Sequence, residues 1–405
     1  MTLSRIGRIS RALVASMAVV LGMSACGGYT TGFMWVLGTQ YNQIAGFKID
    51  DYTGNLTNMV KSPYSSGGAN PVSISVRFGG NFVFVVNKGT YDKNGVSNGD
   101  GNVAVFGVGE DGVLTAQGSY PTAGGSPVWV EADQSGNYLY VLDSQAPDYA
   151  TTGNGDITVF QVDGTTGRLQ IVPNQQIKNS QGQQLNYFEV GQAPTMLRNI
   201  GGCVYTLDSG DQTIFPYGTG ASGQLTLQVT GKITTNASNL TFIGVSGSNV
   251  YLTDAGTNKI LPYTTSSNCN LSAQIAGATP NLPLTVDPVF VMTDARSKYL
   301  YVLNHGNNTP GSTNANSTIS AFVIQSTGAL TPISDPVNPY PIGNGPVCMV
   351  EDPSSQYIYT SNNYDGTVTG KYINQNTGQL SALPRGSSFP ATGLATCLAV
   401  SGNVD

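Results

Sequence analysis

The chain contains few charged side chains and only one histidine. Of its 405 residues, 10% are charged, with 17 Lys and Arg against 23 Asp and Glu. The acidic excess argues against nucleic acid and anionic lipid surfaces as partners, because both attract basic proteins. A single histidine and no cysteine pair at ligand spacing leave too few ligands for a zinc site. We therefore predict no metal and no cofactor.

A short pattern is instead repeated seven times. An apolar residue is followed by an aromatic one at 44–47, 103–106, 157–160, 214–217, 260–263, 319–322 and, one residue longer, 368–372. A Gly-x-Leu turn follows about ten residues later, but the fifth copy has Cys269 in place of the glycine. Repeats with a pitch of 46 to 59 residues in a strand-rich chain are typical of a propeller or a solenoid.

Denser apolar runs precede these steps, for example at 82–86, 138–142 and 299–303. Short runs rich in Tyr and Val, bounded by Gly, Asn and Asp, predict strands that are buried on both faces. Together with an inner strand and an outer strand, each repeat would contain four strands. The sequence therefore predicts an all-β fold, a seven-bladed β-propeller with four-stranded antiparallel blades. Residues 33–405 would form this single domain, because blades cannot bury their faces alone.

The two ends of the repeat indicate how the ring closes. The first copy begins at Phe33 and lacks an inner strand, whereas residues 394–400 are an extra apolar stretch after the last outer strand. We expect the ring to be closed by this C-terminal strand, which would cover the open sheet edge of blade 1. A frayed C-terminal tail is the alternative.

Residues 1–25 have the pattern of a lipoprotein signal peptide. Three arginines precede an apolar stretch at 12–22 that is too short to span a bilayer in the mature protein. Met23-Ser24-Ala25-Cys26 is similar to a bacterial lipobox, so Cys26 would carry the lipid and 26–32 would be a short tether. Gly27 rather than Asp follows the cysteine, which favours the outer membrane of the cell envelope. An ordinary secretory signal is the alternative.

Four further cysteines suggest disulfide bonds in an exported chain. Cys348 and Cys397 fall in the inner strands of blades 7 and 1, where a bridge would lock the closure. Cys203 and Cys269 fall at strand ends on the same face of blades 4 and 5. Alternatively, all four are small buried apolar residues.

Six of the seven dense strands end in Asn or Asp. These residues are Asn87, Asp143, Asp208, Asp254, Asn304 and Asn362, and blade 1 has Gly38 instead. Such side chains often fold onto their own backbone in turns. As functional groups they would form a polar ring at one mouth of the channel. The loops that follow are long in blades 2, 3 and 6 and would wall this mouth.

The single histidine, His305, lies in the long loop of blade 6. Histidine is the side chain whose unperturbed pKa lies closest to neutrality, so His305 is a candidate general base. A lone histidine on a loop can also be merely solvated.

The segment SGNYLYVLD … GDITVFQVDGTTGRLQ at 135–170 resembles the blades of seven-bladed lactonase propellers of the 6-phosphogluconolactonase type. It also resembles the YVTN repeats of exported bacterial propellers. The resemblance extends from residue 33 to about residue 400 and implies hydrolysis of a sugar-type lactone at the channel mouth. Residues 301–307 are similar to a family stretch Tyr-Val-x-Asn-Arg-Gly-His, but His305 replaces its Arg and Asn307 its His. These losses argue against a phosphorylated substrate.

Two functions are consistent with the sequence. In a lactonase, the candidate general bases would be Asp143, Asp208, Asp254 and His305, and the substrate-binding donors would be Asn87, Asn304 and Asn362. The alternative is a non-catalytic propeller that binds a protein or glycan at the envelope, which the scarcity of titratable side chains favours. In either case we expect a monomer that reaches the membrane only through its lipid anchor.

Overall fold

The structure, a computed structural model, describes residues 29–228, 231–273, 286–312 and 316–402. Seven antiparallel sheets form the blades of a ring. The innermost strand of each blade contacts the innermost strand of the next blade, and these contacts continue around the whole circle. The predicted all-β, seven-bladed propeller is therefore confirmed.

The strands below are given in chain order. Blades 1 to 3 comprise β1 (Thr30–Gly38), β2 (Gln43–Asp50), β3 (Leu56–Asn58), β4 (Tyr64–Ser65), β5 (Pro71–Val76), β6 (Phe82–Asn87), β7 (Asn102–Val108), β8 (Leu114–Pro121), β9 (Pro127–Ala132), β10 (Tyr138–Asp143), β11 (Asn154–Val162) and β12 (Leu169–Ile171). Between blades 3 and 4 lie β13 (Asn174–Lys178), β14 (Gln184–Leu185) and β15 (Phe188–Gln192). Blades 4 and 5 comprise β16 (Pro194–Ile200), β17 (Cys203–Asp208), β18 (Thr213–Thr219), β19 (Leu225–Leu227), β20 (Ile233–Thr234), β21 (Leu240–Ser246), β22 (Asn249–Asp254), β23 (Lys259–Thr265) and β24 (Leu271–Ala273). Blades 6 and 7 and the closing strand comprise β25 (Pro288–Thr293), β26 (Tyr299–Asn304), β27 (Thr318–Ile324), β28 (Leu330–Pro332), β29 (Tyr340–Pro341), β30 (Pro346–Glu351), β31 (Tyr357–Asn362), β32 (Thr367–Ile373), β33 (Leu380–Ala382), β34 (Ser388–Pro390) and β35 (Ala395–Gly402).

Helix is scarce in the part of the chain that the structure describes. One short helix, α1 (Tyr149–Thr152), and two 3-10 turns, Thr39–Tyr41 and Ala221–Gly223, are its helical segments. No helix in the described ranges is long and apolar enough to cross a bilayer.

We number the strands of each blade from first, at the axis, to fourth, at the rim. The second strand is the most buried because it lies between the first and third strands and between two neighbouring blades. No residue of β6, β17 or β26 is exposed, as the dense apolar runs predict. The fourth strand is largely exposed, as in β19 and β24.

The closing strand is the one expected from the sequence. β35 pairs antiparallel with β1, with Phe33 opposite Ser401 and Val36 opposite Leu398. It thus supplies the first strand of blade 1 from the other end of the chain, and the predicted closure is confirmed. β1 begins at Thr30, three residues before the expected start at Phe33. Residues 1–25 and Cys26 lie outside the described residues.

The Gly-x-Leu turn of one blade packs against an aromatic side chain of the preceding blade. A methyl group at Gly112 or Gly378 would come within 2.4 Å of the ring of Phe33 or Tyr299, and both glycines have a positive φ. Both the positive φ and the nearby ring favour glycine at these two positions. Two residues after the packed ring, a further aromatic side chain bonds to the same glycine, as Tyr301 Oη does to the Gly378 carbonyl at 3.0 Å.

The fifth repeat departs from this scheme in a way that explains its cysteine. Cys269 occupies the glycine position of the turn, and it forms a disulfide with Cys203, which occupies the aromatic position of blade 4. A covalent bond therefore replaces the contact between an aromatic side chain and a turn glycine that joins other neighbouring blades. The second disulfide joins Cys348 of β30 to Cys397 of β35. It fastens the closing strand to blade 7.

Candidate functional site at the channel mouth

One face of the disc carries the ends of all the second strands. The first strands begin at the same face, since Asp143 pairs with Pro127 and Asn304 pairs with Pro288. We name it the upper face, and the channel opening there the upper mouth. The connectors between blades and the long loops of blades 2, 3 and 6 lie at this face, as the sequence analysis predicts.

The six Asn and Asp residues of the predicted polar ring are at the upper face, but they are buried. None of them exposes more than 1% of its surface, and the set is Asn87, Asp143, Asp208, Asp254, Asn304 and Asn362. The reason is that each side chain points into its own blade, toward the third strand and the connector from the preceding blade. The structure therefore places these candidate bases and donors away from the mouth that they were expected to line.

The amide side chains bond to the third strand of their own blade, and Asn87 bonds to a connector as well. Asn87 Nδ2 donates to the Ser66 carbonyl in a connector and to Asn102 Oδ1 on the third strand, both at 3.0 Å. Asn304 Nδ2 donates to Ser320 Oγ at 2.9 Å. Asn362 Nδ2 donates to Thr369 Oγ1, also at 2.9 Å. Such bonds satisfy polar groups that burial would otherwise leave unpaired.

The three aspartates at equivalent positions have different protonation properties. Asp143 accepts hydrogen bonds from Thr122 Oγ1 at 2.6 Å and Thr158 Oγ1 at 3.1 Å, yet burial raises its pKa to about 7. Burial and the neighbouring Asp143 raise the pKa of Asp156 on the facing strand. Burial also raises the pKa of Asp208 to about 8.

Asp254 behaves in the opposite way. Burial raises its pKa, but hydrogen bonds from Thr257 Oγ1 and from the backbone N–H groups of Asn239, Ser238 and Gly256 outweigh this effect, and the pKa is lowered overall. The Asn239 N–H lies 2.8 Å from Asp254 Oδ1. An ionised carboxylate therefore suits this position, whereas a neutral carboxyl suits positions 143 and 208.

The side chains at the upper mouth belong to the next residue along the chain. These residues are Thr39, Lys88, Ser144, Ser209, Ala255, His305 and Asn363, which we name the mouth ring, and all are half-buried. Each donates its backbone N–H to the carbonyl of the residue before a first strand, at 2.7–3.1 Å. The shift by one residue follows from strand geometry, because successive side chains point to opposite faces. The same alternation could have been used to identify the mouth ring from the sequence. Of its seven members, the sequence analysis considered only His305 as a functional residue.

Three members of the mouth ring line a cavity of about 380 Å³ above blades 2 to 4. Lys88, Ser144 and Ser209 supply its polar wall, and residues near the start of the first strands, such as Val72 and Val128, supply its apolar wall. We name it the upper cavity. A concave site with an apolar floor and a few convergent polar groups is typical of small-molecule binding.

His305 completes the mouth ring at blade 6. Its Nδ1 lies 3.3 Å from Asp287 Oδ2, and its ring packs edge-on against Tyr364 of blade 7, with the ring centres 4.9 Å apart. The side chain is 18% exposed. A carboxylate that accepts a hydrogen bond from Nδ1 favours the imidazole tautomer whose Nε2 carries no proton, the arrangement of a general base.

The backbone beneath His305 is held by buried polar side chains. Its carbonyl accepts hydrogen bonds from Asn308 Nδ2 at 3.1 Å and Ser317 Oγ at 2.8 Å. Asn308 Nδ2 also donates to Ser317 Oγ at 2.7 Å, and both residues are buried. This network positions the imidazole before any ligand binds. Among the described residues there is no group of three or more His, Cys, Asp or Glu side chains placed to hold a metal ion.

The sequence matches a known family over the first three blades. A family described as lactonase, 7-bladed beta-propeller, matches residues 28–185. The predicted resemblance to the lactonase propellers is confirmed. Comparison with curated proteins gave no match.

Solved structures of similar fold include two proteins named for lactone hydrolysis. A putative 6-phosphogluconolactonase from Bacteroides fragilis has 17% identity and a TM-score of 0.66, covering 92% of this chain and 98% of that chain. The periplasmic gluconolactonase PpgL of Pseudomonas aeruginosa has 15% identity and a TM-score of 0.69, covering 92% and 99%. At these identities the likeness establishes the fold. The family match in turn supports a lactonase-like function at the level of the family.

Proposed function

We propose that this protein hydrolyses a sugar-type lactone at the upper mouth of its channel. The observation that carries the proposal is the His305–Asp287 pair, an imidazole held through Nδ1 by a carboxylate at 3.3 Å in the mouth ring of a lactonase-like propeller. The buried Asp143, Asp208 and Asp254 are assigned no catalytic role, because no face of these side chains is open to substrate.

In the proposed reaction, His305 Nε2 removes a proton from water as the water oxygen attacks the lactone carbonyl. The Asp287 carboxylate stabilises the imidazolium that forms. Collapse of the tetrahedral intermediate breaks the ring C–O bond, and the imidazolium returns its proton to the alkoxide that leaves. The product is the open hydroxy acid, and neither an oxidant nor a metal is needed to balance the step. General-base assistance of this kind is worth about 10²–10⁴-fold in rate.

The upper cavity, which lies across the mouth ring from His305, suits an uncharged substrate. Lys88 is the one charged side chain on its wall, and Ser144 and Ser209 provide hydroxyl groups that can both donate and accept hydrogen bonds. This set matches the hydroxyls and the carbonyl of a sugar lactone. A phosphate group would need more than one cation for tight recognition.

The test is hydrolysis of glucono-1,5-lactone and of its 6-phosphate by the wild type and by matched variants. We expect the neutral lactone to react faster. His305→Ala should lower kcat/KM by about 10²-fold or more, and Asp287→Asn should lower it less, since the imidazole remains. Asn376→Ala, an exposed change in the turn between β32 and β33 at the opposite face of the disc, is the control. If no lactone is hydrolysed above the buffer rate, or if His305→Ala retains full activity, the non-catalytic binding propeller becomes the better account.

We also propose that the protein is exported and lipid-anchored through Cys26 after removal of residues 1–25. The lipobox-like residues Met23-Ser24-Ala25-Cys26 support this proposal. Three acyl chains would bury far more CH₂ groups than the single chain that anchors only marginally. Cys26→Ser should therefore move the protein from washed membranes to the soluble exported fraction. Retention of the variant on membranes after a high-salt wash would exclude this anchor.

A further inference from the structure

The channel contains a second cavity, of about 400 Å³, in the half away from the upper mouth. First strands from all seven blades contribute to its wall. The charged residues on the wall are the fifth or sixth of their strands, Glu131 in β9, Arg198 in β16 and Glu351 in β30. We name it the lower cavity. Its volume is within the range of small-molecule sites in proteins, about 300–1,000 Å³.

An aromatic layer separates the two cavities. Trp129 of blade 3 reaches across to Phe242 of blade 5, with ring centres 5.7 Å apart, and Phe242 stacks on Phe290 of blade 6 at 3.9 Å. All three are the third residues of their first strands. The upper cavity is lined by second residues of the first strands, such as Val128. The lower cavity is therefore distinct from the site of the proposed lactone hydrolysis.

Arg198 and Glu131 form an ion pair on the wall of the lower cavity. Arg198 Nη1 lies 3.4 Å from Glu131 Oε2, and the guanidinium also lies 5.5 Å from the centre of the Phe242 ring. Glu131 Oε1 accepts the Asn199 N–H at 3.0 Å. The described hydrogen bonds of Arg198 use Nε and Nη1. A guanidinium has five N–H groups, so Nη2 can still donate to a ligand.

Two buried polar atoms at the lower cavity have no hydrogen-bond partner among the described residues. One is the donor Trp129 Nε1, which lies close to Glu131, and the other is the acceptor Glu351 Oε1. The other carboxylate oxygen, Glu351 Oε2, accepts the Ala295 N–H at 2.7 Å. A buried polar group without a hydrogen-bond partner destabilises the folded protein. A ligand hydroxyl accepting from Trp129 or donating to Glu351 would recover this free energy.

We propose that the lower cavity binds a neutral polyol of monosaccharide size. Hydroxyl groups both donate and accept, so they can satisfy Glu351, Trp129 and Arg198 together, and the aromatic layer can pack against the apolar face of a sugar ring. One arginine faces two glutamates, so the wall offers no excess positive charge to an anion. Burial raises the pKa of Glu351 to about 6. At pH 7.5 its carboxylate is therefore mostly ionised and is a strong acceptor for a hydroxyl group.

The test is titration of the full-length protein with glucose, followed by intrinsic fluorescence. The chain has two tryptophans, and Trp35 is fully buried between blades, where its Nε1 donates to the Gly112 carbonyl. A saturable change therefore reports on Trp129. Gluconate, an anion of the same size, should bind at least tenfold more weakly. Calorimetry provides the readout for Trp129→Phe, which should weaken glucose binding.

Glu351→Gln should weaken glucose binding about tenfold or more, since it removes a charged hydrogen-bond acceptor. The exposed Glu110→Gln is the matched control and should bind as the wild type does. If Glu351→Gln does not fold, Val350→Phe keeps every polar group, fills the cavity and should abolish binding. Three results would each overturn the proposal: no saturable glucose signal, equal binding of gluconate, or wild-type affinity in Val350→Phe.

Discussion

Replacing Asp143 with asparagine should make the propeller more stable at pH 8. The Asp143 and Asp156 carboxyls face each other across β10 and β11, are buried, and pack under Gly124 of the connector. Asp156 Oδ2 has no hydrogen-bond partner among the described residues. In blade 2 the same pair of positions holds Asn87 and Asn102, and Asn87 Nδ2 donates to Asn102 Oδ1. The D143N variant would introduce the same kind of bond toward Asp156.

The magnitude follows from the raised pKa of Asp143. The folded protein holds this proton up to about pH 7, whereas the unfolded chain releases it near 3.8. Unfolding therefore releases a proton between these values, so the contribution of Asp143 to stability is complete below about pH 4 and is lost as the pH rises to about 7. At about 1.4 kcal/mol per pKa unit, the loss at pH 8 is up to about 4 kcal/mol. The variant cannot ionise and should gain about 2–4 kcal/mol there, but about 1 kcal/mol or less at pH 4.

The assay is thermal or denaturant unfolding of both proteins from pH 4 to pH 8. For a ring of this length, the expected gain at pH 8 corresponds to a rise in Tm of roughly 3–5 °C, at about 2.1 cal/mol/K per residue. Asp254→Asn is the matched comparison at the equivalent position of blade 5. It should destabilise the protein at pH 8 by about 1–3 kcal/mol, because backbone N–H groups of Ser238 and Asn239 lose a charged acceptor. Equal effects of the two variants, or a gain for D143N that does not depend on pH, would refute the reasoning.

Two further predictions concern the contacts between blades. Cys203→Ala with Cys269→Ala should lose about 4 kcal/mol by opening a crosslink of 66 residues. Cys203→Tyr with Cys269→Gly restores the contact between an aromatic ring and a turn glycine, and it should recover about 1.5–3 kcal/mol of this loss. This gain should not depend on reducing agent. A Tm no higher than that of the double alanine variant would argue that the disulfide does not replace such a contact. Deleting 395–405 should lower the Tm further than Cys348→Ala with Cys397→Ala, since it removes both the disulfide and the closing strand. An equal Tm for the two variants would mean that the pairing of β35 with β1 contributes little to the stability of the protein.

The fold could be predicted from the sequence because each repeat contains the apolar runs of its strands and the glycine of its turn. The closing strand was also predictable, since blade 1 lacked an inner strand and residues 394–400 had no other partner. All of these features are short sequence patterns that recur at equivalent positions of the blades, so they can be recognised without the structure. The pairing of the cysteines was one of two alternatives that the sequence left open, and it rested on their positions in the strands of neighbouring blades. Only the structure shows that the disulfide between Cys203 and Cys269 replaces a contact between an aromatic residue and a glycine.

The candidate site was harder to predict because side-chain direction decides it. Asn304 and His305 are neighbours in sequence, yet one is buried in its blade and the other reaches the mouth. The lower cavity could not be predicted at all. Trp129, Arg198 and Glu351 come from three different blades at different depths of their strands, and no spacing in the sequence brings them together. Only closure of the ring makes them neighbours.

The seven blades are seven copies of one structural unit within the same chain. Comparing equivalent positions therefore separates residues that stabilise the fold from residues that are free to serve a function. The buried position at the end of the second strand is Asn or Asp in six blades, and a side chain there bonds to a connector, as from Asn87, or to the third strand, as from Asn304. The next position is Thr39, Lys88, Ser144, Ser209, Ala255, His305 or Asn363. What the mouth ring shares is a backbone hydrogen bond, which any of these residues can make. The fold therefore sets few limits on its side chains, and a lone imidazole or ammonium group can be placed there at little cost in stability. A substitution such as Ala255→Ser, at a mouth-ring position whose native side chain makes no hydrogen bond, should accordingly leave the Tm within about 1 °C of the wild type. A large loss of stability would show that the side chains of the mouth ring also stabilise the fold.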